Sequence, residues 1–195
     1  MSDLFDEPDD ATPLSPEERK GLIPSDITYR RELNRAEQEN IVRGQAWALS
    51  RRRGALLTEK FIKDLHAHMF GDVWRWAGNY RTSERNIGIP CYEIPIAVRQ
   101  LLADATTWME ARSYPPDEIA VRLHHRLVQI HPFPNGNGRH TRLMADLLVM
   151  QLGRDLFTWG SANLQDPSAV RRGYVEALRA ADEHDMWSLL AFARS

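Results

Sequence analysis

The sequence predicts a mostly α-helical single domain of seven or eight helices with one β-hairpin. Apolar residues recur at helical spacing in successive segments, and most of these segments begin at a capping residue or end at a glycine. β-Favouring residues cluster around Gly88 and Pro90 in residues 80–94, which we predict to form the hairpin. With 195 residues, 43% of them hydrophobic and 27% charged, the chain can bury one sizeable core.

The composition argues against several classes of protein. A net charge of −2 provides no basic field that would attract nucleic acid. The single cysteine, Cys91, excludes an internal disulfide framework and fits a reducing compartment. No apolar run approaches the roughly 20 residues of a membrane span, and the acidic start MSDLFDEPDD is unlike a signal peptide. We therefore expect a cytoplasmic protein that binds neither nucleic acid nor membrane.

The N-terminal part of the chain divides into a tail and the start of the domain. Residues 1–24 are acidic and contain proline, so we predict a partly mobile segment ahead of a domain over residues 25–195. The first long helix is predicted to begin at Asn34, with Glu37 three residues on in a capping-box arrangement. Thr58 is predicted to cap the second helix.

The later segments continue the helical pattern. Two tryptophans, Trp74 and Trp76, are predicted to line the core around a turn before the hairpin. The helix beyond the hairpin carries a buried apolar stripe, made by Val98, Leu101, Leu102, Ala105, Trp108 and Met109. Asp117 is predicted to cap the next helix, which leads to His131, and Asp185 to cap the last one.

Residues 131–142, which read HPFPNGNGRHTR, join two apolar helical segments through a tight loop. The second helix is predicted to begin near Gly138, and a helix N-terminus presents unpaired N–H groups and partial positive charge. Gly136 and Gly138 let this backbone approach a ligand closely, which predicts a phosphate site. Arg139 and Arg142, three residues apart, add planar forks that suit phosphate.

Other side chains of the loop suggest chemistry at that phosphate. His131, with a pKa expected near neutrality, could take a proton from an attacking hydroxyl. Phe133 is predicted to anchor the loop in the core. Asn135 lies where an acidic residue could hold Mg²⁺, and its carbonyl can ligate the ion without supplying charge. Asn137 could cap the following helix or bond a phosphate.

These twelve residues resemble the signature of the Fic (Fido) family, H-x-F-x-[D/E/N]-G-N-G-R-x-x-R. The likeness extends to Trp74-x-Trp76-Ala77-Gly78 and covers about residues 34–195. The whole chain is most similar to the small Fic proteins called mobile mystery protein B. Those proteins are typically found beside a helix-turn-helix protein, mobile mystery protein A.

The resemblance implies a protein adenylyltransferase, which transfers AMP from ATP to a Ser, Thr or Tyr hydroxyl of a target protein and releases pyrophosphate. It implies that His131 is the general base and that Mg²⁺ accompanies the nucleotide. It implies a nucleotide site lined by the remaining motif positions, which are Asn135, Gly136, Asn137, Gly138, Arg139 and Arg142. It further implies that the hairpin at 80–94 is a flap that docks the target by β-addition. The helix-turn-helix protein would be a further partner, and the role could be toxin-like.

Two departures from the family pattern affect the implied activity. Asn135 replaces the acidic residue that most active members use for Mg²⁺. Many members also carry a helix with the pattern [S/T]-x-x-x-E-[G/N], whose Glu pairs with the second motif arginine and blocks productive ATP binding. Thr28 and Glu32 have that spacing, and we predict that Glu32 faces Arg142. An ordinary acidic residue in the first turn of a helix is the alternative.

Three other functions remain open from the sequence. The same scaffold could support a phosphotransferase or another nucleotidyl transferase. A weakly active, nucleotide-binding regulatory module is also compatible with Asn135. A zinc site formed by histidines is disfavoured, because neighbours such as His124 and His125 point about 100° apart on a helix.

Overall fold

The computed structural model describes residues 20–24, 27, 30–50, 56–161 and 167–195. This part of the chain contains seven α-helices and one short 3₁₀-helix, and it has no β-strand. The elements are α1 (Arg30–Ser50), α2 (Glu59–Phe70), η1 (Cys91–Glu93), α3 (Ile94–Glu110), α4 (Pro116–Ile130), α5 (Asn137–Gln151), α6 (Pro167–Asp182) and α7 (Met186–Arg194). The mostly α-helical class is therefore confirmed, while most of the predicted tail at residues 1–24 lies outside the described residues.

Helices α4 and α5 form the centre of the fold and pack against each other more extensively than any other pair. Leu123 and Leu127 of α4 and Met144 and Leu147 of α5 are almost completely buried. The surrounding helices cover this pair: α3 and α7 pack on α4, while α1 and α2 pack on each other and on α5. The loop between α4 and α5 is residues 131–136, so the motif connects the two most buried helices.

The predicted hairpin at residues 80–94 is not formed. Residues 79–90 run instead as an irregular loop, here called the flap loop, which leads into η1. The reason is a side chain: Arg81 donates hydrogen bonds to the carbonyl oxygens of Ser83 and Ile89. The Arg81 guanidinium thus binds backbone acceptors within this segment. A two-residue bridge, Leu22 with Trp74, is the β-type pairing that the described residues contain.

Local signals at the helix ends are confirmed in part. Thr58 caps α2 through its hydroxyl, which accepts a hydrogen bond from the N–H of Phe61 at 3.2 Å. Asp185 caps α7 in the same way. Helix α1, however, begins at Arg30 instead of Asn34, so Glu37 lies two turns inside the helix and the predicted capping box is wrong. In the part of the chain that the structure describes, every helix is too short or too polar to cross a membrane.

Candidate active site

The motif loop lies between two residues in the left-handed backbone conformation. His131 ends α4 with φ 52° and ψ 62°, and its N–H donates to the Leu127 carbonyl at 3.0 Å. Gly136, with φ 75°, precedes α5. A side chain at Gly136 would overlap the ring of Phe70, so both the backbone angle and the packing require glycine there. These two turns reverse the chain and bring His131 to the start of α5.

Asn137 holds the loop closed from inside. Its side-chain oxygen accepts from the Phe133 N–H at 2.9 Å, and its side-chain nitrogen donates to the Phe133 carbonyl at 2.8 Å. Phe133 itself is completely buried, which confirms its predicted role as an anchor. Because the Asn137 amide is engaged in this way, an anion at the helix start would meet its backbone N–H and not its side chain.

His66 of α2 is a site residue that the sequence reasoning missed. The Gly78 N–H can only donate, so it bonds His66 Nδ1 at 3.0 Å, and His66 Nε2 then donates to the Asn135 carbonyl at 3.0 Å. The His66 ring also stacks on Phe133 with ring centroids 3.7 Å apart. Burial holds the pKa of His66 well below its usual value, so the ring is neutral. Ile62 and His66 are four residues apart and share a face of α2 with its buried apolar residues. This spacing could have predicted that His66 is buried.

His131 is buried, and its environment differs from the sequence-based expectation. Burial, followed by the positive charges of Arg81 and Arg85, lowers its pKa to about 4 instead of leaving it near neutrality. The imidazole is therefore neutral at pH 7 and has a lone pair available to accept a proton. Negative charge from a bound nucleotide would raise this pKa and make the ring a stronger base.

The start of α5 is open toward solvent beside His131. A side chain at Gly138 would meet no heavy atom within 4 Å, so ligand atoms can approach the backbone there. Helix geometry leaves the first N–H groups of α5 without intrahelical partners, and they carry partial positive charge. The helix N-terminus at which we predict an anion site is therefore accessible.

Arg142 projects from the second turn of α5 and contacts Tyr174 of α6. Its guanidinium lies 5.5 Å from the centre of that ring. Among the described residues it makes no ion pair and no side-chain hydrogen bond. Tyr174 is held in turn by a 3.0 Å hydrogen bond between its hydroxyl and His124 Nε2. Arg142 therefore rests on an aromatic ring, and the carboxylate whose charge reaches it without an ion pair is Asp146, one turn further along α5.

Comparison with known proteins places this loop in a family. A family model described as the Fic/DOC family matches residues 56–149, which include the whole motif. Just under half of the chain, residues 56–149, therefore matches a Fic/DOC domain. The fold agrees: the structure superposes on a Fic domain of a Bartonella quintana effector protein with a TM-score of 0.71, at 15% identity over 91% of each chain. It also superposes on a Fic-domain signalling protein from Bacteroides thetaiotaomicron with a TM-score of 0.62, at 20% identity over 87% of this chain and 70% of that one.

Curated relatives of this Fic domain are named protein adenylyltransferases. The fic-1 protein of Caenorhabditis briggsae is 38% identical over 96 residues, which are 47% of this chain and 19% of that protein. The Fic protein of Aedes aegypti is 28% identical over 140 residues, which are 70% of this chain and 27% of that protein. The chain thus spans about a quarter or less of the length of these relatives. One solved structure with the same fold, BepC from Bartonella tribocorum, contains bound AMPPNP and has a TM-score of 0.69 at 14% identity over 92% of this chain and 97% of that one.

The carboxylate that pairs with a motif arginine is Glu37, and its partner is Arg139. The described contacts of Arg142 include no pair with Glu32, and an inhibitory role of Glu32 stays a prediction. Glu37 Oε2 lies 3.2 Å from Arg139 Nη1, and both side chains are only 9% exposed. Glu37 Oε1 accepts from the Trp74 indole N–H at 2.6 Å. This pairing follows from the early start of α1, which turns Glu37 and Ile41 toward the core.

The metal-binding role expected of Asn135 has little support in the Fic domain. Its side-chain oxygen accepts a hydrogen bond from the N–H of Gly136 at 2.6 Å. No group of three or more His, Cys, Asp or Glu side chains that could hold a metal exists among the described residues. One uncharged carbonyl is a poor resident site for Mg²⁺, which prefers carboxylates together with phosphates and water. The side chains present therefore do not fit a resident magnesium ion.

The histidines suggested as zinc ligands point to separate partners. His124 bonds Tyr174, His125 bonds Asp182 at 2.8 Å, and His140 Nε2 donates to the Ile62 carbonyl at 3.0 Å. These bonds support the view that the histidines brace the helices around the motif.

Proposed function

We propose that this chain is a Fic-type protein adenylyltransferase that transfers AMP from ATP to a Ser, Thr or Tyr hydroxyl of a target protein. The observation that carries the proposal is a neutral, buried His131 at the mouth of an open helix N-terminus. The names of the curated relatives and the AMPPNP bound in BepC support the same chemistry. ATP is then the donor substrate and pyrophosphate the leaving product.

In this proposal, each part of the reaction has a corresponding group on the chain. The target hydroxyl oxygen attacks the α-phosphorus, and a new P–O bond forms as the bond to the pyrophosphate oxygen breaks. The hydroxyl proton passes to His131, whose neutral ring can accept it. Charge on the phosphate oxygens is stabilised by the backbone N–H groups at the start of α5, from Asn137 and Gly138 onward, and by Arg142. The Gly136 N–H can join them only after it leaves Asn135 Oδ1. Arg139 can join only after it leaves Glu37.

Magnesium enters this proposal as part of the substrate. Mg²⁺ usually binds nucleotides through their phosphates and keeps several waters, so MgATP can deliver the ion without a carboxylate from the chain. Asn135 would contribute at most one oxygen, after giving up its bond to the Gly136 N–H.

The target segment is proposed to dock along the flap loop, which packs directly on His131. The backbone at Gly88 is so close that a side chain there would lie 2.7 Å from His131 Cβ. A segment that adds to this loop would bring its hydroxyl near the base. The resemblance to mobile mystery protein B also leads us to propose a toxin-like role with a helix-turn-helix partner, which co-purification of the two proteins would test.

Isotope labelling separates the candidate activities. The purified protein is incubated with a cell lysate and with ATP that is labelled at either the α or the γ phosphate. We expect protein-bound label from the α position alone. Label from the γ position alone would indicate a phosphotransferase instead. ATP binding without any protein-bound label would indicate a regulatory module.

The role of His131 needs a matched variant. His131→Ala is expected to reduce transfer by about a thousandfold, since a general base contributes on the order of 10²–10⁴-fold. The control is His184→Asn, because His184 is an exposed histidine that also has a positive φ, of 72°. Full transfer by His131→Ala would exclude the assignment of the base.

A further inference from the structure

Arg81 is a buried cation that joins the flap loop to the end of α4. The residue is 2% exposed, and burying a guanidinium is costly unless every donor finds an acceptor. Arg81 meets that requirement with backbone oxygens from two separate segments. Neither the motif nor the proposed chemistry assigns it a role.

The first segment is the catalytic turn. Arg81 Nε donates to the His131 carbonyl at 2.7 Å, and the backbone N–H of Arg81 donates to the Pro132 carbonyl at 2.9 Å. Carbonyl groups at the end of a helix lack intrahelical partners, so these bonds replace water at the end of α4. They also hold His131 in a left-handed conformation that is uncommon for a residue other than glycine.

The second segment is the flap loop. Arg81 Nη1 donates to the Ser83 carbonyl at 3.1 Å, and Nη2 donates to the Ile89 carbonyl. Between these points, Gly88 adopts φ 93°, and a side chain there would lie 2.7 Å from His131 Cβ and 2.8 Å from Arg81 Nη2. One guanidinium therefore fixes the loop directly against the His131 side chain.

We propose that Arg81 is a positioning residue that holds the flap loop and His131 in one fixed geometry, so that a docked hydroxyl meets the base. Calling His131 the base rests on the proposed function, whereas the link between Arg81 and His131 does not. The alternative is an arginine that contributes only to stability.

The charge of Arg81 provides a readout of its contact with His131, while transfer at unchanged ATP affinity separates a positioning role from stability alone. The charged groups whose fields lower the pKa of His131 are Arg81 and Arg85, and both belong to the flap loop. Glu84, which lies 3.7 Å from Arg81, is largely exposed. Removal of the Arg81 charge should therefore raise the pKa of His131, while Lys at this position should preserve much of the effect and lose the forked hydrogen bonds.

The experiment measures the His131 titration by NMR together with transfer from α-labelled ATP, in Arg81→Met, Arg81→Lys and the exposed control Arg43→Met. We expect Arg81→Met to raise the pKa of His131 by about one unit. Both Arg81 variants should lower transfer by about tenfold or more, because small misplacements of a catalytic group are costly. ATP affinity should stay within about twofold, and Arg43→Met should match the wild type.

Either Arg81 variant can overturn the proposal. A folded Arg81→Met or Arg81→Lys protein with wild-type transfer would do so, as would an Arg81→Met protein whose His131 titration is unchanged. If Arg81→Met does not fold, Arg81→Lys, which keeps a buried cation, decides the question by its transfer rate. Absence of transfer in the wild type would count against the proposed function alone, since the NMR titration would still test the link.

Discussion

Arg139 and Arg142 lie one turn apart on the same helix, yet their surroundings differ. Arg139 faces α1 and α2, where Glu37 neutralises it at 3.2 Å and its guanidinium lies 5.0 Å from the Phe70 ring centre. Arg142 faces α6, where it rests on Tyr174 and forms no ion pair among the described residues, although the charge of Asp146 reaches it from one turn away. If both arginines bind phosphate as proposed, Arg142 is available at once, while Arg139 must first break an ion pair.

Loss of Arg142 is expected to have the largest effect on nucleotide binding. Arg142→Gln should weaken ATP binding about a hundredfold, because charge-assisted bonds to phosphate are lost from a buried position. Arg139→Gln should weaken it much less, since Arg139 is already engaged by Glu37. Calorimetric titration with ATP measures both. Equal losses in the two variants would show that the arginines do not differ as described.

Asp146, one turn beyond Arg142, should make stability depend on pH. Burial raises its pKa from 3.8 to about 6, although bonds from the Trp159 indole and the Phe157 N–H oppose the shift. A raised pKa gives a stabilising contribution that is complete below pH 3.8 and lost as pH rises through about 6. Asp146→Asn keeps a hydrogen-bond acceptor but cannot ionise. Its free energy of unfolding relative to the wild type should therefore increase by about 2–3 kcal/mol from pH 4 to pH 7.5. Urea unfolding of both proteins at pH 4 and pH 7.5 measures this change. A difference in the free energy of unfolding that is the same at both pH values would contradict the prediction.

Glu37→Gln should increase activity by freeing Arg139. The amide oxygen can still accept from the Trp74 indole, so the change removes the charge and preserves the packing. We expect ATP affinity to rise about tenfold, equivalent to about 1.4 kcal/mol. Glu39→Gln is the matched control, because Glu39 pairs with Arg35 on the exposed side of the same helix. An unchanged affinity in Glu37→Gln would show that the ion pair does not limit binding.

Tyr174→Leu should weaken ATP binding less than Arg142→Gln does. It removes the ring under Arg142 and the hydroxyl bonded to His124, and a cation–π contact contributes about 0.5–2 kcal/mol. ATP affinity should therefore fall by about 2–30-fold, with Arg139 unaffected. Tyr92→Leu serves as the control, because Tyr92 is 76% exposed. If Tyr174→Leu weakened ATP binding as much as Arg142→Gln does, the Tyr174 ring would have to position other groups of the site besides Arg142.

The motif loop could be predicted from the sequence because its determinants are local. The glycine at 136 and the helix start at Asn137 follow from turn and capping preferences within a few residues. The anchor Phe133 was predicted for the same reason. What the sequence could not provide was the pKa of His131, since Arg81 and Arg85 approach it from a segment about 50 residues earlier.

Two of the incorrect predictions have a similar physical origin. A cluster of β-favouring residues suggested a hairpin at 80–94, but the side chain of Arg81 binds backbone acceptors of that segment and also the His131 carbonyl. A spacing pattern suggested a capping box at Asn34 and Glu37, but α1 begins at Arg30 and Glu37 accepts a hydrogen bond from the Trp74 indole. In both cases a residue bonds a partner that is distant in the sequence, and a local pattern does not show such contacts. The same holds for His66, which bonds Asn135.

The most direct test of the account combines two substitutions in one chain. Transfer of label from α-labelled ATP is measured in Glu37→Gln protein with and without His131→Ala. We expect stronger labelling than the wild type in Glu37→Gln and almost none in the double variant. Labelling that persists without His131, or that comes from the γ phosphate, would contradict it.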